Sequence, residues 1–143
     1  MTSQTDNAVH LTRTFDAPRD VVWRMWTEPS EFAAWYGPDG ATLEVKEMDI
    51  RPGGRRTMAM HVQTPGGPMS MSFTGEFREV QEPRRLVYTE ATDGHPETVV
   101  ELELFEDDGQ TTVVLIHHGI PADSPGATGW TMALNKLATR LGA

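Results

Sequence analysis

The adjacent pair His117-His118, the acid Glu90 and the arginine-flanked turn Pro52-Gly53-Gly54 are the places where this sequence could do chemistry. Spacing decides which of them can act. The stretch TTVVLIHH reads as a strand, in which neighbours point to opposite faces, so the two histidines cannot share a metal ion. Val113, Leu115 and His117 form one face, and Val114, Ile116 and His118 the other. Both are apolar, and the pattern alone does not say which is buried. A histidine facing a cavity can orient a polar ligand group or act as general acid or base; one held by a backbone carbonyl near the rim does neither. His61 alternates away from Met58, Met60 and Val62 and faces solvent, while His10 and His95 carry no signal.

Among the acids, Glu101 and Glu103 alternate with Val100, Leu102 and Leu104, which puts them on the wet face of a strand, and Glu106-Asp107-Asp108-Gly109 reads as a turn. Glu90 differs, because it shares a face with Leu86 and Tyr88 and so stands at the mouth of any cavity on that side. The run MDIRPGGRR has two glycines and three arginines, Arg51, Arg55 and Arg56, as a phosphate cradle would. However, it sits between two strands, and neither GxGxxG nor GxxxxGK[ST] spacing is present. The expectation is a turn whose arginines neutralise Glu47 and Asp49 on the preceding strand. No HExxH, GxSxG, EF-hand or Walker pattern occurs and there is no cysteine. No metal, cofactor or catalytic residue is therefore expected.

The elements that must position these groups follow from periodicity. Val9 to Phe15 alternates and reads as a strand. Pro18 and Pro29 open two short helices, the second running through Phe32 and Trp35 to a stop at Gly37-Pro38. From Ala41 to Gly119 about six strands succeed one another, with breaks at Pro52-Gly53-Gly54, Pro65-Gly66-Gly67-Pro68, Glu82-Pro83, Asp93-Gly94 and Asp108-Gly109. A closing amphipathic helix carries Trp130, Leu134, Leu137 and Leu141 on one stripe. A hairpin sheet buries one face against such a helix and leaves the other wet. Met58 and Met60 on one strand, with Met69, Met71 and Phe73 on the next, share a face. They are either core or the adaptable wall of a cavity. Trp35 and Trp130 are placed to cap it, whereas Trp23 and Trp26 read as core packing.

At 143 residues with no linker or repeat, the chain reads as one domain over 1–143, with residues 1–7 loose. A net charge of −9 opposes phosphate backbones and anionic membranes. No apolar run is long enough to span a bilayer, and MTSQTDNAVH lacks the features of a secretory signal, so a cytoplasmic protein is expected.

The runs TFDAPRDVVWRMWTEPSEFAAWYGP, MDIRPGGR, GEFREVQEPRRLVYTE, HHGIP and GWTMALNKLATRL, in that order over roughly residues 9–141, resemble the activator-of-heat-shock-protein-90-ATPase-like branch of the START/SRPBCC superfamily. The resemblance implies an α+β helix-grip fold, a curved antiparallel sheet wrapped around a long C-terminal helix. It also implies a cavity between them that holds a small hydrophobic or amphipathic molecule, with His117 on the cavity side. Residues expected to line it are Trp35, Met58, Met60, Met69, Met71, Phe73, Tyr88, Glu90, Leu102, Leu115, His117, Trp130 and Leu134. A non-enzymatic binding protein, a monomer or weak homodimer, is the leading expectation. The alternatives are a cyclase- or hydrolase-type enzyme using His117 with Tyr88 or Glu90, and a chaperone ATPase-activating module resting on the family name alone.

Overall fold

A computed structural model describes residues 8–92 and 94–141. The N-terminal segment expected to be loose lies outside them, as does Asp93 of the expected Asp93-Gly94 turn. The chain runs β1 (Ala8–Phe15), α1 (Arg19–Thr27), α2 (Pro29–Trp35), β2 (Thr42–Met48), β3 (Arg55–Thr64), β4 (Gly67–Gln81), β5 (Arg85–Thr92), β6 (Thr98–Asp107), β7 (Gln110–His118) and α3 (Pro125–Arg140). The seven strands form one antiparallel sheet in the order β1-β7-β6-β5-β4-β3-β2. This is the α+β helix-grip architecture the sequence leads one to expect. Each α-helical start uses a proline where a missing N–H costs nothing: Pro18 caps α1, and Pro29 and Pro125 open α2 and α3.

The sheet curves because two strands carry an extra residue, with register shifts between Val45 and Glu47 and between Phe77 and Glu79. Its concave face is apolar in register: Leu86 pairs with Leu102 and Leu102 with Leu115, while Met60 pairs with Met71 and Met58 with Phe73. Across this face lie α1 over β6 and β7, α2 against β2, and α3 against α2 and β1. Trp130, Ala133, Leu134 and Leu137 of α3 are buried in the same core as Met58, Met60, Leu102 and Leu115. The convex face is wet. There Arg85 bonds Glu79 and Glu101, and His118 pairs with Glu101, so the acids of β6 are solvent-side as their alternation implies.

The Pro52-Gly53-Gly54 segment is a turn. The Gly53 N–H donates to the Phe77 carbonyl at 2.7 Å and the Gly54 N–H to the Arg51 carbonyl at 2.8 Å, so these amides are spent within the protein. Gly53 has φ +83°, and a Cβ at Gly54 would stand 1.9 Å from the Asp49 carbonyl oxygen, a distance only glycine permits.

The expectation for the arginines is corrected. Arg51 does pair with Asp49 at 2.7 Å, but Arg56 is 1% exposed and lies inside the molecule. The reason is strand alternation, which puts Arg56 on the concave face with Met58 and Met60. Opposite it the β4–β5 ladder lapses: pairing holds at Thr74–Ala91 and at Phe77–Tyr88 but not between them. A Cβ at Gly75 would meet the Thr89 carbonyl oxygen at 1.9 Å. That carbonyl instead accepts a bond from Arg56 Nη1 at 3.1 Å, and the Thr89 hydroxyl accepts from the Glu76 N–H at 3.0 Å. The guanidinium lies 3.9 Å from the Tyr88 ring centroid, with Phe32 and Phe77 each at 5.7 Å. Among the described residues no carboxylate comes within ion-pair distance of it.

Leu134 is 2% exposed and fully packed, whereas Met71 is 37% exposed. Urea unfolding should show Leu134→Ala destabilised by about 2–5 kcal/mol and Met71→Ala by under about 1 kcal/mol. Equal costs would contradict the packing described.

Candidate functional site

The helices do not cover the whole concave face. Between the start of α3 and the ends of β3, β4 and β5 lies an open cleft of about 1030 Å³. Of the residues named from the sequence, Met60, Met71, Phe73, Glu90, His117 and Trp130 stand along it. The other expected residues stand elsewhere. Tyr88, Leu102, Leu115, Leu134 and Met58 belong to the closed core beneath, and Met69 projects from the β3–β4 hairpin at 52% exposure, so none of these borders the cleft. Trp35 is withheld by the α1–α2 joint: its indole N–H donates to the Met25 carbonyl at 2.9 Å and its ring meets Trp26 edge-on at 4.7 Å.

Its neighbour Tyr36, which the sequence reading passed over, takes the capping position. The Tyr36 ring meets Trp130 edge-on at 5.3 Å and stacks on Phe32 at 4.3 Å. The Tyr36 hydroxyl lies 3.0 Å from both oxygens of Glu90. The signal was present, because Phe32 and Tyr36 are one helical turn apart and so share a face. Glu90 is only 7% exposed and sits at the floor rather than the mouth. Burial raises its pKa above the ordinary carboxylate value, while the Arg56 charge and the Tyr36 bond oppose the rise. Burial, and next the charge of Glu90, push the Tyr36 hydroxyl well up, so it remains a donor at neutral pH.

His117 is held on both sides. Trp130 Nε1 donates to His117 Nδ1 at 2.9 Å, and His117 Nε2 lies 2.8 Å from the Thr98 hydroxyl, which in turn donates to the Glu90 carbonyl at 3.0 Å. Indole N–H is a donor only, so Nδ1 accepts and the proton is on Nε2. The ring is therefore a neutral link between β6, β7 and α3. It has no free nitrogen with which to move a proton on a bound molecule without first breaking one of these bonds. Burial lowers its pKa to about 4, helped by the nearby charges of His118 and Arg56.

A second feature of α3 also escaped the sequence reading. Gly129 lies inside the helix and borders the cleft, and a Cβ there would meet nothing within 4 Å. Glycine costs a helix interior about 1 kcal/mol relative to alanine. Gly126 has a packing reason, since a Cβ would press on Ile120 at 2.9 Å; Gly129 has none except the open space it leaves. Among the described residues no group of His, Asp and Glu could hold a metal ion, and no helix is long and apolar enough to cross a membrane.

A family model described as Activator of Hsp90 ATPase homolog 1-like protein matches residues 16–142. No curated protein matches. Among solved structures, protein CV1439 from Chromobacterium violaceum is 27% identical, with 96% of this chain and 99% of that one covered at a TM-score of 0.86. A protein from Staphylococcus epidermidis is 26% identical over 96% of this chain and 90% of its own, at 0.78. The AHSA1 protein of Silicibacter pomeroyi, 21% identical over 94% and 97%, shares the fold at a TM-score of 0.78.

The linkage at His117 has a definite sign. Its pKa is lower folded than unfolded, so the unfolded chain takes up the extra proton between pH 6.5 and about 4. Its contribution is complete above pH 6.5 and lost as pH falls through that window. Long-range ¹H–¹⁵N spectra should show the Nε2–H tautomer and no protonation of His117 above about pH 5. A midpoint near 6.5, or an Nδ1–H tautomer, would contradict the assignment.

Proposed function

The chain belongs to the Activator of Hsp90 ATPase homolog 1-like family, and from that premise we propose that it binds a small hydrophobic or amphipathic molecule in the cleft between sheet and α3. The observation that carries the reading is the open, largely apolar cleft whose space is preserved by Gly129. A glycine that weakens the helix and touches nothing is explained if the vacant volume is used. The walls suit varied contents, because Met60, Met71 and Met132 are unbranched and polarizable, while Tyr36, Phe73 and Trp130 supply flat faces. A size near 1000 Å³ lies at the upper end of small-molecule sites.

Binding without chemistry is the simpler reading, since His117 is spent on Thr98 and Trp130 and Tyr88 is in the core. The cleft is complete within one chain, so the reading needs no second copy. The chaperone-activating alternative has the family description as its only support.

Two measurements check the proposal with the neutral apolar probe N-phenyl-1-naphthylamine. The probe should raise Tm in a concentration-dependent way and shift the methyl resonances of Met60, Met71 and Met132 while leaving Met25 and Met69 in place. Gly129→Leu should hold or raise the stability of α3 by up to about 1 kcal/mol and weaken probe binding by intruding into the cleft beside Trp130. A folded Gly129→Leu protein that binds as before, or a wild type that moves none of these methyls, would overturn the reading.

A further inference from the structure

The polar groups at the floor of the cleft are unequally free. Four donors around Glu90 are committed within the protein: Tyr36 Oη to Glu90, Trp130 Nε1 to His117, His117 Nε2 to Thr98, and the Thr98 hydroxyl to the Glu90 carbonyl. Ser124, nearer the rim, gives its hydroxyl to the Pro121 carbonyl. At the Glu90 carboxylate itself, acceptor capacity remains unspent. A carboxylate has about four lone-pair positions, and the one proton of Tyr36 at 3.0 Å is the bond Glu90 receives among the described residues.

Charge points the same way. No lysine or arginine lines the cleft among the described residues, and Asp123 adds a second acid at the rim. The guanidinium nearest Glu90 in the core, Arg56, is directed at the Thr89 carbonyl and the face of Tyr88. The faces beside Glu90 are aromatic, with Tyr36 and Trp130 5.3 Å apart. A buried carboxylate flanked by aromatic rings matches a cation that carries N–H groups, and it opposes a carboxylate-bearing ligand by like-charge repulsion in a partly desolvated site.

Building on the ligand-binding reading above, we propose that the cleft selects an apolar or aromatic molecule bearing a protonated amine, whose N–H groups meet the Glu90 carboxylate beside Tyr36 and Trp130. The amine brings N–H donors to the unspent oxygens of Glu90, and its hydrocarbon body lies along Met60, Met71 and Phe73. Neutral alcohols offer one donor and no charge, and so bind more weakly.

The test is calorimetric titration at neutral pH with three molecules of matched ring system: 2-naphthylmethylamine, 2-naphthylmethanol and 2-naphthoate. The amine is expected to bind about tenfold tighter than the alcohol, with the carboxylate weakest. In Glu90→Gln, checked for folding by circular dichroism, amine and alcohol should bind within about threefold of each other. Naphthoate binding as tightly as the amine would overturn the proposal, as would an undiminished amine preference in folded Glu90→Gln. Should that variant not fold, the wild-type ranking decides alone. Failure of all three molecules to bind would remove the ligand-binding reading and this inference together, whereas a wrong ranking among molecules that bind removes only this inference.

Discussion

The buried guanidinium of Arg56 is the constraint on which the concave side depends. The sheet must bend sharply between β4 and β5, and at the bend Gly75 comes so close to the Thr89 carbonyl that the ladder cannot continue. A buried carbonyl left without a donor would cost about 1–3 kcal/mol. Arg56 supplies that donor from across the face, and the rings of Tyr88, Phe77 and Phe32 stand where a counter-ion would otherwise be needed. One strong cation thus closes a gap in a hydrogen-bond ladder and anchors three aromatic side chains from three different elements. Among the described residues its Nε and the Tyr88 hydroxyl have no hydrogen-bond partner, which marks the region as one where regular pairing has given way to shape.

The same bend locates the cleft. Glu90 follows Thr89 directly and points to the concave side where the ladder has lapsed, so the carboxylate ends up buried on the sheet yet beside open space. The charge of Arg56 favours the ionised acid and burial disfavours it. Around it the chain Trp130, His117, Thr98 and the Glu90 carbonyl ties α3 to β5, β6 and β7. That chain fixes the helix start at a set distance from the sheet and consumes the donors. Space, aromatic walls and unspent acceptors are therefore consequences of how the bend is satisfied.

The fold was legible in the sequence because its signals are local and periodic. The changes from period two to helical period at Pro18, back after Gly37-Pro38, and again after Pro121 mark every layer, and alternation puts Met60, Met71 and Phe73 on one face, as the strand register does. The site was legible only in part, because burial alone does not say where a helix ends its cover. Met58 and Met60 are two residues apart on one face, yet α3 and its neighbours close over the first and leave the second at the cleft. Arg56 shares their alternation, but a charged residue beside a Pro-Gly-Gly turn reads as surface unless the ladder gap facing it is known. Tyr36 was masked by Trp35, whose indole is taken by the Met25 carbonyl. Both misses concern long-range partners, which lie beyond what periodicity reports.

The measurement that tests the account most directly is a set of intermolecular NOEs between N-phenyl-1-naphthylamine and methyl-labelled protein. Contacts from the ligand to the Met60 and Met71 methyls and to the Trp130 ring are predicted. Contacts confined to the exposed Met69 and Phe105, or no contact to the cleft under conditions where the ligand is bound, would contradict it.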